Sequence, residues 1–119
     1  MWCRYWRMSN VPPPTEALAE LAAVLGDDNV RTLVRTFLRD FPASMSELAG
    51  GDRKNRHRVA HSMKSNSRLM GAMELSQRMA ALEARLEKES GADVNADDLT
   101  AVAADYDAIV GPLRAFVGE

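Results

Sequence analysis

Apolar residues recur at intervals of three and four along most of the chain, the spacing that places them on one face of an α-helix. Glycine interrupts this spacing at Gly26, at residues 49–51, at Gly71 and at Gly91. The interruptions divide residues 15–119 into a short first helix and four helices of about 18 to 22 residues. No alternating strand pattern competes with them. The pattern therefore predicts an all-α fold: an antiparallel four-helix bundle, in up-down-up-down order, with a short extra N-terminal helix.

Polar residues that commonly cap helices stand at the predicted helix starts. Thr15 precedes the first helix, and Asp27 or Asp28 precedes the second. Asp52 precedes the third, and the last helix begins near Ala96. These positions predict where each helix begins, and the glycines predict where the first, third and fourth helices end.

Two of the predicted helices contain proline, which lacks the N–H of a helical hydrogen bond. Pro42 should kink the second helix or end its regular part, and Gly111 with Pro112 should bend or split the last helix. The spacing also predicts which residues face the core: Ala17, Leu18, Leu21, Val24, Leu25, Val30, Leu33, Val34, Phe37, Leu38, Phe41, Met45, Leu48, Val59, Met63, Met70, Leu75, Met79, Leu82, Leu86, Leu99, Val102, Tyr106, Ile109, Leu113 and Phe116.

The first 14 residues differ in composition from the rest of the chain. Trp2, Tyr5 and Trp6 lie in a short basic stretch that ends in prolines at residues 12–14. Proline favours extended backbone and is excluded from helix interiors. We therefore predict that residues 1–14 are a flexible leader, a linker or a cloning remnant, and that residues 15–119 form the domain. Docking of the aromatic side chains on the domain is the alternative.

Length and composition limit the classes of protein to which the chain can belong. The 119 residues fit one domain and leave no room for a nucleotide-binding kinase domain beside a second fold. The net charge of −2 does not favour nucleic-acid binding, and a single cysteine, Cys3, excludes an internal disulfide. No apolar run approaches the roughly 18 residues of a membrane span, and no secretory signal is recognisable. We therefore expect a cytoplasmic monomer without a membrane span.

The stretch HSMKSNS at residues 61–67 places a histidine in the middle of the third predicted helix. At about 100° per residue, Val59, Met63 and Met70 lie on the side of the helix opposite His61. The apolar side is the predicted core side, so His61 should be exposed. Positive charge surrounds it, because residues 51–70 contain six lysines or arginines against one acid in a chain that is acidic overall.

The predicted reversal at Gly71 brings a carboxylate beside His61. His61 lies ten residues before Gly71, roughly 15 Å along the axis, and Glu83 lies twelve residues after it, roughly 18 Å. Glu83 also flanks Leu82, at the edge of the helix contact. Its carboxylate can accept a hydrogen bond from one ring nitrogen of His61 and leave the other free as a nucleophile. With Lys64 nearby to offset negative charge, this arrangement suits the holding of a phosphoryl group.

The segment AHSMKSNSRLMGAMEL, with LE at residues 82–83, resembles the signature of histidine-containing phosphotransfer (HPt) domains. That signature reads approximately Ala-His-x-Leu-Lys-Gly-x-Ser/Ala-x-x-x-Gly-Ala, with a Leu-Glu or Leu-Gln pair on the next helix. The matching positions are Ala60, His61, Met63 in place of leucine, Lys64, Ser67, Gly71, Ala72, Leu75, Leu82 and Glu83.

The resemblance implies a phosphorelay intermediate without ATP-dependent kinase activity and without a cofactor or metal of its own. His61 would be phosphorylated on a ring nitrogen, Lys64 would help to hold the phosphoryl group, and Glu83 would hydrogen-bond the ring. The partner would be a receiver domain of a response regulator or hybrid sensor histidine kinase, whose aspartate gives or takes the phosphoryl group. The acidic partner would dock on the third helix and the exposed sides of the second and fourth, aided by Arg53, Lys54, His57, Arg58 and Arg68.

Two positions depart from the signature. The family usually has glycine four residues after the histidine, where this chain has Ser65. The hydroxyl could bond a phosphoryl oxygen, or the side chain could slow transfer. Arg56 stands where the family tends to have an apolar residue, and its stem could cover the core edge while its guanidinium reaches solvent. The alternative function is therefore a catalytically blunted HPt-like module that docks on a receiver or another partner without phosphotransfer.

Four other features are given no functional role. His57 and His61 could bind a metal at their i, i+4 spacing, but no third ligand is placed beside them, so no metal site is predicted. The short positive face lacks interleaved aromatic residues, so nucleic acid is not the expected partner. The methionines fill gaps in the core. A solvated face is predicted for the acidic residues near the end of the chain: Glu87, Glu89, Asp93, Asp97, Asp98, Asp105 and Asp107.

Overall fold

The computed structural model describes residues 11–119, and this part of the chain contains five α-helices and no strand. The all-α prediction is confirmed for these residues, and so is the short first helix. The predictions for Trp2, Tyr5 and Trp6 concern residues outside the described range. The helices are α1 (Glu16–Leu25), α2 (Asp27–Gly50), α3 (Arg53–Leu69), α4 (Met73–Glu87) and α5 (Ala96–Val117).

The four longer helices pack in a ring. Helix α2 contacts α3 and α5, α4 also contacts α3 and α5, and α1 packs on α2 and α3. The α3–α4 contact is the most extensive. Near the reversal, the Ser76 hydroxyl donates to the Lys64 carbonyl at 3.0 Å, and far from it the His57 ring lies 3.3 Å from Glu87. Helices α3 and α4 therefore form an antiparallel hairpin.

Apolar burial follows the predicted faces of α3, α4 and α5. The stripe of α4, which consists of Leu75, Met79, Leu82 and Leu86, is buried, and so is the stripe of α3. Between α2 and α5, the rings of Phe41 and Tyr106 stack with their centroids 3.6 Å apart. The buried residues form two clusters, one around Met79 between the long helices and one around Leu18 beneath α1.

The predicted face of α1 is wrong at its end, because Val24 is 83% and Leu25 44% exposed. Helix α1 packs on α2 and α3, and a narrow stripe including Leu18 is enough to bury that contact. Val11, before the helix, is half-buried against the cluster around Leu18. The exact boundary between leader and domain stays a prediction.

The predicted N-caps are confirmed at two helices, α1 and α3. The Thr15 hydroxyl accepts from the Leu18 N–H at 3.2 Å, and Asp52 accepts from the Asn55 N–H at 2.9 Å. Asp27 and Asp28 do not cap α2. A single residue, Gly26, joins α1 to α2 and has a φ of +88°, which favours glycine over aspartate. Both aspartates fall in the first turn instead, where their charge complements the helix dipole.

The helix end predicted at Pro42, the split predicted at Pro112 and the helix end predicted at Gly91 are wrong, whereas a kink at Pro42 and a bend at residues 111–112 stay predictions. Helix α2 continues through Pro42, which is exposed, and α5 continues through Pro112 without being split. The carbonyl four residues before an exposed proline can bond water in place of the missing N–H, so the helix can persist. Helix α4 ends at Glu87, before Gly91. Helix α5 begins with a capping box in which Asn95 and Asp98 each bond the backbone of the other.

Several acids near the end of the chain are paired and not simply solvated. Asp93 lies 3.0 Å from Arg56, and Asp105 lies 2.5 Å from Arg78. Asp98 pairs with Arg85. Burial opposes ionisation of Asp98, but hydrogen bonds from Arg85 and the Asn95 backbone together lower its pKa. These pairs tie α5 and the loop before it to α3 and α4.

Candidate functional site

The α3–α4 hairpin orients the side chains of the candidate site. Ala60 and Met63 are buried and fix which face of α3 meets the bundle, so His61 points outward with 60% of its side chain exposed. The reversal between the helices is tight. Gly71 has a φ of +77°, and a Cβ there would lie 2.4 Å from the Thr15 hydroxyl oxygen. Glycine at residue 71 therefore sets the level at which α3 and α4 meet.

His61 is held through one ring nitrogen. Its Nδ1 forms a short hydrogen bond with Oε2 of Glu83. Because a carboxylate can accept but not donate, Nδ1 carries the hydrogen, and Nε2 of the neutral ring keeps its lone pair. Within the described residues, Nε2 has no hydrogen-bond partner. The geometry thus leaves one nitrogen of an exposed imidazole available to an incoming group.

Glu83 serves two partners at once. Its other oxygen, Oε1, accepts from the Lys64 ammonium at 2.5 Å, and its side chain is 12% exposed. The hydrogen bond from Lys64 lowers the pKa of Glu83, burial opposes this, and the bond from His61 lowers the pKa further. The carboxylate therefore stays ionised at neutral pH and links the imidazole to the ammonium.

Ser65 lies one turn after His61 and is exposed. Its hydroxyl donates to the His61 carbonyl at 3.3 Å, within α3 itself. The hydroxyl is therefore engaged with the backbone, while the side chain adds bulk to the face on which His61 lies. The structure brings His61, Lys64 and Glu83 into one connected group and leaves Ser65 at its edge.

Among the predicted docking residues, Lys54, Arg58 and Arg68 are exposed on α3, and His57 lies beside Glu87. Arg53 is more constrained, because its guanidinium donates to the carbonyls of Arg85 and Lys88 at 3.2 and 2.8 Å.

The interpretation of Arg56 is wrong. Its guanidinium donates to the Ala49 carbonyl at 2.7 Å and pairs with Asp93 at 3.0 Å, so it does not extend freely into solvent. The end of α2 and the loop before α5 provide these partners, and neither contact is recognisable from the position of Arg56 on α3. Arg56 thus joins structural elements and contributes less to the positive surface than the helical wheel indicated.

Sequence reasoning also missed Glu87. Its Oε1 lies 3.3 Å from Nε2 of His57, and ligand atoms of His57, Glu83 and Glu87 all lie within 4.8 Å of one another. The premise that no third metal ligand is placed beside the histidines is therefore wrong. The signal was present as two i, i+4 pairs, His57 with His61 on α3 and Glu83 with Glu87 on α4.

These features define a helical module with a hydrogen-bonded histidine exposed on its surface. The chain belongs to the Hpt domain family, whose model matches residues 32–111. That match runs from α2 into α5 and includes the whole candidate site. Hpt domains act in histidine phosphotransfer in two-component phosphorelays, interact with receiver domains, and are phosphocarriers and not kinases.

Neither the curated proteins nor the solved structures include a match to the chain. A search of the described residues finds no helix long and apolar enough to cross a membrane.

Proposed function

We propose that the chain is a phosphorelay intermediate that accepts and donates a phosphoryl group on Nε2 of His61, between aspartates of receiver domains. The observation that carries the proposal is the exposed His61 ring with Nδ1 bonded to an ionised Glu83. Family membership supports the reaction class.

In the proposed transfer, the Nε2 lone pair attacks the phosphorus of an aspartyl phosphate on the receiver. The new N–P bond forms as the P–O bond to the aspartate breaks, and the aspartate leaves as a carboxylate. The reverse reaction returns the phosphoryl group to an aspartate. The ring becomes positive as the bond forms, and Glu83 stabilises that charge through Nδ1. Lys64, which is half-exposed beside Glu83, offsets charge on the phosphoryl oxygens.

Helix α3 and the exposed sides of α2 and α4 form the proposed docking surface. Lys54, Arg58 and Arg68 give it positive charge, which suits the acidic active site of a receiver. In this proposal the four long helices run up-down-up-down, the domain spans residues 15–119, and the protein is a cytoplasmic monomer without a cofactor or ATP-dependent kinase activity.

The second candidate is a blunted module that docks on a receiver, or on another partner, without transfer. Ser65 favours it, because its side chain stands on the partner-facing surface at the position where the family usually has glycine. The two candidates differ in whether phosphate ever reaches the protein.

The test incubates the protein with a radiolabelled phosphorylated receiver domain. Acid-labile, base-stable label is expected on the wild type and on His57→Gln, which changes the other histidine of the same helix. His61→Gln should remain unlabelled. Label that persists in His61→Gln would remove His61 from the proposal, and binding without any label would favour the blunted module.

A further inference from the structure

We propose that His57, Glu83 and Glu87 form a binding site for a divalent transition-metal ion such as Zn²⁺, and that the ion-bound form is a poor phosphoryl acceptor. The first part rests on the positions of the ligand atoms of these three residues and does not involve Nε2 of His61. The second part rests on the proposed function of His61, because Glu83 belongs to both groups of residues.

The distances suit a small ion. Zn²⁺ binds nitrogen and oxygen ligands at about 2.0–2.2 Å, so ligands of a tetrahedral site lie about 3.3–3.6 Å apart. Nε2 of His57 and Oε1 of Glu87 are already 3.3 Å apart, and the three ligand atoms lie within 4.8 Å of one another. Glu87 is 64% and His57 34% exposed, so both side chains can rotate toward the better-packed Glu83.

The ligand types select the ion. One imidazole with two carboxylates matches the preferences of Zn²⁺, and the two negative charges balance those of the ion. Mg²⁺ prefers six oxygen ligands in octahedral geometry and usually keeps several waters, so it is a poor match. The cations nearest the site, Lys64 on Glu83 and Arg53 at the end of α4, oppose binding electrostatically. We therefore expect moderate affinity and an exchangeable ion.

His57 is better suited to hold an ion than to accept a phosphoryl group. Its Nε2, which corresponds to the free nitrogen of His61, faces Glu87. His61 has Lys64 three residues later, whereas the residue three positions after His57 is the buried Ala60, which carries no charge. The contact between Nε2 of His57 and Glu87 blocks nucleophilic attack by His57, and an ion bound between the two side chains would replace this contact.

An ion at this site would change the surroundings of His61. Glu83 bonds His61 through one oxygen and Lys64 through the other. Coordination of either oxygen weakens one of these bonds, because the ion withdraws electron density and draws the carboxylate toward His57.

The binding test titrates Zn²⁺ against the protein in competition with a chromogenic chelator. Every variant carries Cys3→Ser, which removes the only thiol of the sequence. One ion per chain is expected, with affinity reduced roughly tenfold or more in His57→Gln and in Glu87→Gln. The control Glu74→Gln changes an exposed acid of the same helix, outside the site, and should bind as the parent does.

His61→Gln distinguishes the proposed ligand set from a metal site formed by the His57–His61 pair. Retained affinity supports the ligand set of His57, Glu83 and Glu87, whereas lost affinity would show that the His57–His61 pair holds the ion and would overturn the proposal. Equal binding by Glu87→Gln and the parent would also overturn it. Thermal unfolding of each variant checks that the helices remain folded.

The coupling test measures transfer from a phosphorylated receiver with and without Zn²⁺. Zn²⁺ should slow transfer severalfold in the parent and leave Glu87→Gln unaffected, and the two proteins should transfer equally without the ion. Equal slowing in both would overturn the coupling. The chelator titration does not need phosphotransfer. A protein that binds Zn²⁺ but never accepts phosphate would therefore contradict the proposed function and still support the metal site.

Discussion

Glu83 determines which ring nitrogen of His61 is hydrogen-bonded and which keeps a free lone pair. It accepts from Nδ1 of His61 with one oxygen and from Lys64 with the other, and it is nearly buried. A carboxylate fixed in this way keeps the ring in one tautomer and supplies negative charge at the moment the ring becomes positive. In the proposed transfer, the role of Glu83 is one of positioning and stabilisation, since the phosphoryl group would form its bond with His61.

Glu83→Ala is expected to slow phosphotransfer by about 10- to 100-fold, because a hydrogen bond to a charged group contributes about 1.5–3 kcal/mol. Glu83→Gln should recover part of the rate, since its amide oxygen can still accept from Nδ1. Stopped-flow transfer from a phosphorylated receiver measures both. Glu87→Gln, one turn along the same helix, is the matched control and should transfer at the parental rate in chelator-treated buffer. Unchanged transfer in Glu83→Ala would exclude Glu83 from the mechanism.

The lowered pKa of Glu83 predicts how its contribution to stability depends on pH. A carboxyl group whose pKa is lower in the folded state stabilises the fold above its ordinary pKa, about 4.5 for glutamate, and loses this effect as pH falls through the folded pKa. The difference in unfolding free energy between wild type and Glu83→Gln should therefore be constant from pH 7 to about 5 and decrease below about 4.5. Urea unfolding at a series of pH values measures it. A difference independent of pH down to about 3 would contradict the ionised pair.

Ser65 tests whether bulk at the partner-facing surface limits transfer. Ser65→Gly is expected to speed transfer severalfold, because the hydroxyl bonds the His61 carbonyl and is not free to assist. Ser62→Gly is the matched control, with the same exposed residue type in the same helix. Each glycine should reduce stability by about 0.5 kcal/mol. Equal transfer rates in the parent and Ser65→Gly would show that the serine is tolerated.

The neighbourhood of His61 was predictable because the rise per residue of two antiparallel helices places Glu83 beside it. The same count would have found Glu87, since His57 lies fourteen residues before Gly71 and Glu87 sixteen after it. Glu87 was missed because it had been assigned to a solvated face. The bond of the Ser65 hydroxyl was not predictable, since it depends on one rotamer.

At the α3–α4 reversal, Gly71 combines a positive φ with close contact to Thr15. Gly71→Ala should destabilise the protein by about 1–3 kcal/mol, through backbone strain and displacement of the start of α1. Gly50→Ala is the control, because a Cβ there meets nothing within 4 Å. Urea unfolding at neutral pH compares them. A stability of Gly71→Ala equal to that of Gly50→Ala would contradict the tight approach.

The helices themselves could be predicted far better than their ends. The buried stripe of α4 followed from spacing, since a period near 3.6 leaves no ambiguity over four turns. The helix end predicted at Pro42 and the split predicted at Pro112 did not occur, since both prolines are exposed and a carbonyl left without an N–H partner there can bond water. The prediction that an aspartate caps α2 was wrong because Gly26 alone joins the two helices and is both the C-cap of α1 and the N-cap of α2.

Across the whole molecule, charge is segregated in a way that the net charge of −2 conceals. Lys54, Arg58 and Arg68 are exposed along α3, whereas Arg56, Arg78 and Arg85 are paired with acids. The pairings were not predictable, because they join α3 and α4 to α5 and to the loop before it, whose relative positions depend on the packing of the bundle. The exposed cations of α3 therefore present positive charge to a partner that approaches this helix.

Association with a receiver should weaken as salt rises, severalfold between about 50 and 300 mM, because exposed charges are screened over about 10 Å or less. The triple variant Lys54→Gln/Arg58→Gln/Arg68→Gln should bind more weakly at low salt and show a flatter salt dependence. Arg39→Gln, an exposed cation of α2 beside Asp40, is the control. Surface plasmon resonance at several salt concentrations measures this, and an unchanged salt slope in the triple variant would exclude α3 as the charged docking surface.

The hydrogen bond from the Thr15 hydroxyl to the Met70 carbonyl, 2.9 Å long, fastens the start of α1 to the α3–α4 reversal. The segment before α1 is therefore anchored to the bundle, with Thr15 about 15 Å along α3 from the level of His61 and Val11 half-buried against the cluster around Leu18. A receiver tethered through that segment would be held at high effective concentration near the histidine. The attachment point would then favour exchange with a tethered receiver over exchange with receivers free in solution.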